Sequence, residues 1–274
     1  MININAEPIW TSVEKLAESL QDAYSVTGKE TIRKQYLEQV KQYPLYLEWF
    51  DKIVSQIDQE EKPVRVLEYG SGPGLLAEKL VGHRNISNYL TVEPERIFRE
   101  MTAERTGSLD SVIEGTAEEY YAPNSVDLVV ATATYHHFSD KPKALKNIYK
   151  NLRFGGNLII ADVFLPNYKF NSNYDPTDKT EFVESVMKYT ATQIKSMPNP
   201  KTADIIDQIK TAFLDTLRVE ELKVCIPIIQ NQLSKTGFSD VRCELMTGED
   251  NSIEYGVLGY YYITAKKGGN NNVT

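Results

Sequence analysis

Residues Glu68-Tyr69-Gly70-Ser71-Gly72-Pro73-Gly74 place three glycines at alternate positions, the first of them two residues after a carboxylate. Glycines at such spacing let the chain turn sharply and let a ligand come close against the main chain. An apolar run at 64–69 precedes them and a helical pattern near 74–81 follows, so the unpaired N–H groups of a helix start face the same space. In an open α/β sheet the crevice at the carboxyl ends of the strands is where ligands bind. A second carboxylate, Glu93, ends the next apolar run, 19 residues beyond Gly74. In that position a carboxylate can accept both hydroxyls of a ribose, which suits an adenosine-containing cofactor. A dinucleotide site is the main competitor, but its G-x-G-x-x-G/A fingerprint needs a small third residue where Leu75 stands. Pro73 also removes a loop N–H that a pyrophosphate would use. A tight turn with no ligand is the plainer alternative, and the recurrence of further site features downstream weighs against it.

The elements that must hold these residues are legible as short apolar runs. Candidate strands lie at 64–69, 89–92, 111–114, 126–131, 157–163, 240–246 and 255–265, with helices near 74–81, 96–104 and 143–151 and another ending at Gly237. Strands separated by helices imply a Rossmann-like α/β fold, with a mostly parallel seven-stranded sheet and helices on both faces. The first 60 residues read as a helical N-terminal lid segment, with apolar residues such as Trp49, Phe50, Ile53 and Ile57 at helical spacing. Residues 164–222 read as a helical cap inserted after strand five. Phe182, Val186, Tyr189 and Ile194 line one helix, Ile206, Ile209, Phe213 and Leu217 the other, and Pro198-Asn199-Pro200 separates them. The core is then 61–163 with 223–267, and 268–274 reads as a flexible tail.

Composition narrows the class. Hydrophobic residues form 41% of the 274 and charged residues 25%, values of a globular chain with a real core. The formal net charge is −8 and no Lys/Arg cluster stands out, which argues against a nucleic-acid partner. No apolar run approaches the roughly 18 residues of a membrane span. The N-terminus lacks the pattern of a secretory signal, so a cytoplasmic location is expected. Cys225 and Cys243 are too few for a metal site and are expected to be reduced core thiols. No feature specifies an oligomeric state.

Taken in order, the motifs resemble those of the class I S-adenosylmethionine-dependent methyltransferases, particularly those acting on small molecules. The resemblance covers residues 62–163 well and 223–266 loosely. It implies that Gly70, Ser71, Gly72 and Gly74 pack against the methionine part of S-adenosylmethionine. Glu68 would help hold the amino group and Glu93 would bind the ribose hydroxyls. Gly115-Thr116-Ala117-Glu118 stands where the family has a G-D-A-E-like turn beside adenine, with Thr116 in place of aspartate and Ala117 offering its backbone. Ala131 and Thr132, ending the fourth strand, would lie against the methionine end. Leu152-Arg153-Phe154-Gly155-Gly156 matches the family's L-K-P-G-G turn before strand five and is expected to be structural.

The resemblance implies transfer of a methyl group to an O, N or C atom of a small metabolite, with S-adenosylhomocysteine as the product. Positioning supplies much of such a displacement, and a general base adds about 10²–10⁴-fold where the acceptor arrives protonated. His136 and His137 follow strand four on the substrate edge and are candidates for that base, His136 slightly preferred, with packing and helix capping as their structural alternative. Asp162, ending strand five, is a second candidate. Tyr24, Tyr135, His136, Phe182, Tyr189 and Phe213 are candidate substrate-lining residues. Two alternatives stay open: a noncatalytic cofactor-binding or scaffold protein, and a methyltransferase acting on a peptide or carrier-bound group.

Overall fold

A computed structural model describes residues 44–164, 224, 226–246 and 259–268. Helix α1 (Pro44–Asp58) begins at a proline, whose missing N–H costs nothing in a first turn. Trp49, Phe50, Ile53 and Ile57 all point from it into the core. Seven strands follow: β1 (Val64–Tyr69), β2 (Ile86–Glu93), β3 (Val112–Glu114), β4 (Val126–Thr132), β5 (Leu152–Phe164), β6 (Phe238–Leu245) and β7 (Gly259–Lys267). Helices α2 (Leu75–Leu80), α3 (Arg96–Thr106), α4 (Lys141–Asn151) and α5 (Ile226–Thr236) lie between them in the chain.

The strands form one sheet of order β3-β2-β1-β4-β5-β7-β6, parallel except for the antiparallel pairings of β7 with β5 and β6. This is the mostly parallel α/β sheet expected from the alternating pattern. Each face carries its own core. One packs Ala144, Leu145 and Ile148 of α4 and Ile229 and Leu233 of α5 against Leu67, Val129 and Leu158. The other packs the apolar face of α1 and Leu76, Ala77 and Leu80 of α2 against Val66, Val130 and Ile159. The order reverses between β1 and β4, so the crevice at that switch point lies between the turns that leave these two strands.

Two elements differ from their sequence expectation. The Leu152–Gly156 turn is the bulged start of β5: Leu152 pairs with Val126 and Asn157 with Leu128, so five steps on β5 oppose two on β4. Gly155 takes φ +72°, and a Cβ on Gly156 would come within 2.9 Å of two carbonyl oxygens, which explains both glycines. Cys243, expected in the core, is half-buried on the edge strand β6. Among the described residues no helix is long and apolar enough to cross a membrane.

Candidate functional site

The glycine turn leaves β1 and is shaped by what a side chain would hit. Gly70, Gly72 and Gly74 all have positive φ. A Cβ on Gly70 would lie 2.0 Å from Thr134 Oγ1, and one on Gly74 would lie 2.9 Å from the Thr102 Cα. Helix α3 thus packs directly on the turn, and Thr102 locks it: its Oγ1 donates to the Gly72 carbonyl at 3.1 Å and lies 3.1 Å from Ser71 Oγ. Ser71 is buried, its hydroxyl directed at Thr102.

Glu93 closes the far side of the same turn. Its Oε2 accepts the Gly72 N–H at 2.9 Å and its Oε1 accepts the Glu95 N–H at 3.0 Å. A carboxylate offers about four lone-pair sites, so two remain for hydroxyl donors. Burial raises the Glu93 pKa, and the two backbone N–H groups oppose that rise. Glu68, two residues before Gly70 in β1, is buried and accepts a hydrogen bond from the Tyr89 hydroxyl. Burial pushes its carboxyl up to about 7, against the pull of that hydrogen bond.

The wall across the switch point is built from β4 and β5. Ala131 and Thr132 end β4 as buried residues, and Thr132 Oγ1 is a buried hydroxyl with no hydrogen-bond partner. An orphaned polar atom at a ligand crevice is what a missing partner leaves behind. Ala133 follows in the left-handed region at φ +48°, a strained position for a residue other than glycine. The chain then enters a 3₁₀ turn, Tyr135–His137.

That turn brings two sequence candidates together. His136 Nδ1 lies 2.7 Å from Asp162 Oδ1, and the His136 backbone N–H donates to Asp162 Oδ2 at 3.1 Å. Asp162 is fully buried at the end of β5. Burial alone would raise its pKa, but the charge and hydrogen bonds of His136 and the N–H of Val163 outweigh it and hold Asp162 below the usual carboxylate range. With Nδ1 engaged by a carboxylate, Nε2 is the imidazole nitrogen left to exchange a proton. His137 is exposed, its ring 4.0 Å from that of His136.

The remaining candidates fall in different places. Tyr135 is a core residue, 1% exposed, packed between Phe138 and Phe164, with its hydroxyl donating to Gln232 Oε1 of α5 at 2.6 Å. Thr116 is half-buried in the turn beyond β3, and Ala117 is buried beside it. Since Glu114 pairs with Glu93, this turn emerges next to the end of β2. Glu118 ties the turn to α4, accepting from Ser139 Oγ at 3.2 Å and the Asp140 N–H at 3.1 Å. Tyr24, Phe182, Tyr189 and Phe213 lie outside the described residues. One buried cation was missed from sequence: Lys141, which has a signal in hindsight, because 141, 144, 145 and 148 share the buried face of α4.

Residues 67–160 match the family model of the methyltransferase domain. An uncharacterized methyltransferase of Bacillus mycoides is 32% identical over 118 residues, 42% of this chain and 51% of its own length. The chain spans about half the length of the curated relatives it matches. Among solved structures, a Thermotoga maritima S-adenosylmethionine-dependent methyltransferase, described as a possible histamine N-methyltransferase, is similar at TM-score 0.55. It is 19% identical, with 87% of this chain and 97% of that one covered. Phosphoethanolamine N-methyltransferase 2 of Haemonchus contortus, solved with S-adenosylmethionine, is similar at TM-score 0.54 and 16% identity, over 80% of this chain and 52% of that one. Residues 67–160 are thus similar to the methyltransferase domain family, and the chain shares the Rossmann-like fold of these solved methyltransferases.

Proposed function

We propose that the protein is an enzyme that binds S-adenosylmethionine at the β1–β2 turns and transfers its methyl group to an O, N or C atom of a small metabolite, releasing S-adenosylhomocysteine. The observation that carries this reading is the bond between the Gly72 N–H and the Glu93 carboxylate, which puts glycine turn and ribose acid in one crevice. The orphaned Thr132 hydroxyl and the buried Glu68 carboxyl would hold the ammonium of the cofactor's methionine end. Bound there, the cofactor supplies a methyl group on a sulfonium, open to in-line attack.

This chain's own residues then do three things. The glycine turn and Glu93 orient the donor. The His136–Asp162 pair takes a proton from the acceptor at Nε2, while Asp162 holds the ring and stabilises the imidazolium that forms. The helical sequence patterns of the N-terminal segment and of residues 164–222 suit a third role, selecting the acceptor. The acidic chain and its free Cys243 fit a small, non-nucleic-acid substrate in a cytoplasmic setting. A buried imidazole–carboxylate pair beside the crevice favours catalysis over a scaffold role.

Calorimetry with S-adenosylmethionine and NAD in parallel tests the first step. The former binds and the latter does not, and Glu93→Ala weakens binding by about tenfold or more, as the loss of charge-assisted hydrogen bonds requires. Equal binding of both, or indifference to Glu93→Ala, overturns the cofactor assignment. A metabolite screen for S-adenosylhomocysteine formation then supplies the acceptor. On it His136→Ala lowers kcat by roughly 10²–10⁴-fold while His137→Ala changes little.

A further inference from the structure

Glu68, the carboxyl proposed to meet the cofactor's ammonium, is 2% exposed, and the Tyr89 hydroxyl donates to its Oε2. The sheet register brings the two together. Val66 of β1 pairs with Tyr89 of β2, and Glu68 pairs with Thr91 two residues further on. Side chains two apart on a strand share a face. Tyr89 therefore lies beneath Glu68, on the face covered by α1 and α2, and reaches up to it. Those helices present apolar groups such as Ile53 and Leu76 to the sheet, and Val130 flanks Glu68 on β4. Their charged residues turn elsewhere: Asp51 pairs with Lys79, Glu78 with Arg105 and Lys52 with Glu244. From β2, Glu93 is the charged group that bears on Glu68, and it adds to the upward push of burial. Tyr89 acts in the opposite direction. Burial and the neighbouring carboxylate push its phenol well above the ordinary value, so it stays a donor.

We propose that Tyr89 is a positioning residue for the cofactor site: its hydroxyl fixes one oxygen of Glu68 and favours the ionised carboxyl, so that docking of the cofactor's ammonium drives the remaining proton out to solvent. This rests on the reading that Glu68 meets that ammonium. With Oε2 held by Tyr89, Oε1 is the oxygen free to receive it. An ammonium pairs with a carboxylate and gains little from a carboxylic acid. The Glu68 carboxyl titrates at about 7, so the empty site at neutral pH is divided between the two forms. Affinity is then lost as pH falls through that value and is full above it. Removing the hydroxyl leaves burial unopposed, and the carboxyl must hold its proton to a higher pH.

The decisive measurement is calorimetry of the full chain with S-adenosylhomocysteine, which carries the same ammonium, in buffers of different ionisation enthalpy. At pH 7 the wild type releases about half a proton per ligand bound. Tyr89→Phe releases more, approaching about one, and binds roughly threefold to tenfold more weakly. Its deficit persists in acid and closes as pH rises, because both proteins are then ionised at Glu68. A folded Tyr89→Phe with the wild-type proton release, or one weakened equally at every pH, reduces the tyrosine to a packing role and overturns the inference. If Tyr89→Phe does not fold, wild type grown on 3-fluorotyrosine decides. Its more acidic phenols are stronger donors and lower the proton release, and an unchanged release overturns the inference equally. A chain that binds no S-adenosylhomocysteine sinks the functional reading instead. The Tyr89–Glu68 link is then read from stability–pH curves, where Tyr89→Phe moves the Glu68 step upward and an unmoved step refutes it.

Discussion

The turn after β1 and the turn after β4 stand side by side at the switch point of the sheet, yet opposite means hold them in shape. The glycine turn is defined by missing atoms: positive φ at Gly70, Gly72 and Gly74, and neighbours packed where a Cβ would stand. The histidine turn is defined by buried charge, with Asp162 gripping His136 from one side and Lys141 gripping its carbonyl from the other. The first is held mainly by sterics, with one carboxylate, Glu93, on its Gly72 N–H. The second is rigid only while its protons are in the right places. A donor that must always dock the same way suits the first kind of wall, and a group that must gain and lose a proton suits the second.

If that contrast is right, the first wall breaks on added volume. Gly70→Ala meets Thr134 Oγ1 and a left-handed backbone together, and should cost about 2–5 kcal/mol in urea denaturation, with cofactor binding lost. Glu68 marks the boundary between the two regimes. Its pKa rises from 4.5 to about 7 on folding, so the folded state keeps a proton that the unfolded chain releases. That contribution is fully present below pH 4.5 and is lost as pH climbs through 7, a change on the order of 3 kcal/mol. Glu68→Gln should abolish this part of the stability–pH curve, and a mutant curve parallel to the wild type would refute the burial account.

Asp162 carries the opposite sign. Its folded pKa lies below its ordinary value of 3.8, so its stabilisation is present above that pH and fades as acid protonates it. Asp162→Asn should therefore cost about 1–3 kcal/mol at pH 7, and the gap to wild type should close in acid. The smallest effect lies at the foot of α4, where Asp140 Oδ1 accepts the Lys143 N–H at 2.9 Å. Asp140→Ala removes that cap and should cost about 1 kcal/mol in urea denaturation.

The steric wall was legible in sequence because its signal is local. Gly70, Gly72 and Gly74 announce their backbone, and the apolar run between Pro63 and Gly70 delimits β1 at both ends. Strand β2 reads too short because the exposed, polar Ser87 and Asn88 near its start break the apolar run after Ile86. The electrostatic wall was only half legible. His136 and Asp162 were each visible as candidates, but their pairing depends on the β4–β5 register. A bulge of three residues on β5 intervenes there, and no periodicity announces it. Lys141 was passed over because a lysine between Asp140 and Pro142 looks solvated, although its place on the apolar face of α4 spoke against that.

The contact of Gly70 with Thr134 joins positions 64 apart in the chain. Such a pair does not drift independently: their substitutions are non-additive, as expected of residues in direct contact. Any lineage that gains a methyl at position 70 has first to lose bulk at 134, two residues before the histidine. The glycine side of the crevice can thus be remodelled only through intermediates that also disturb the histidine side. That order of events restrains how far either side can change alone.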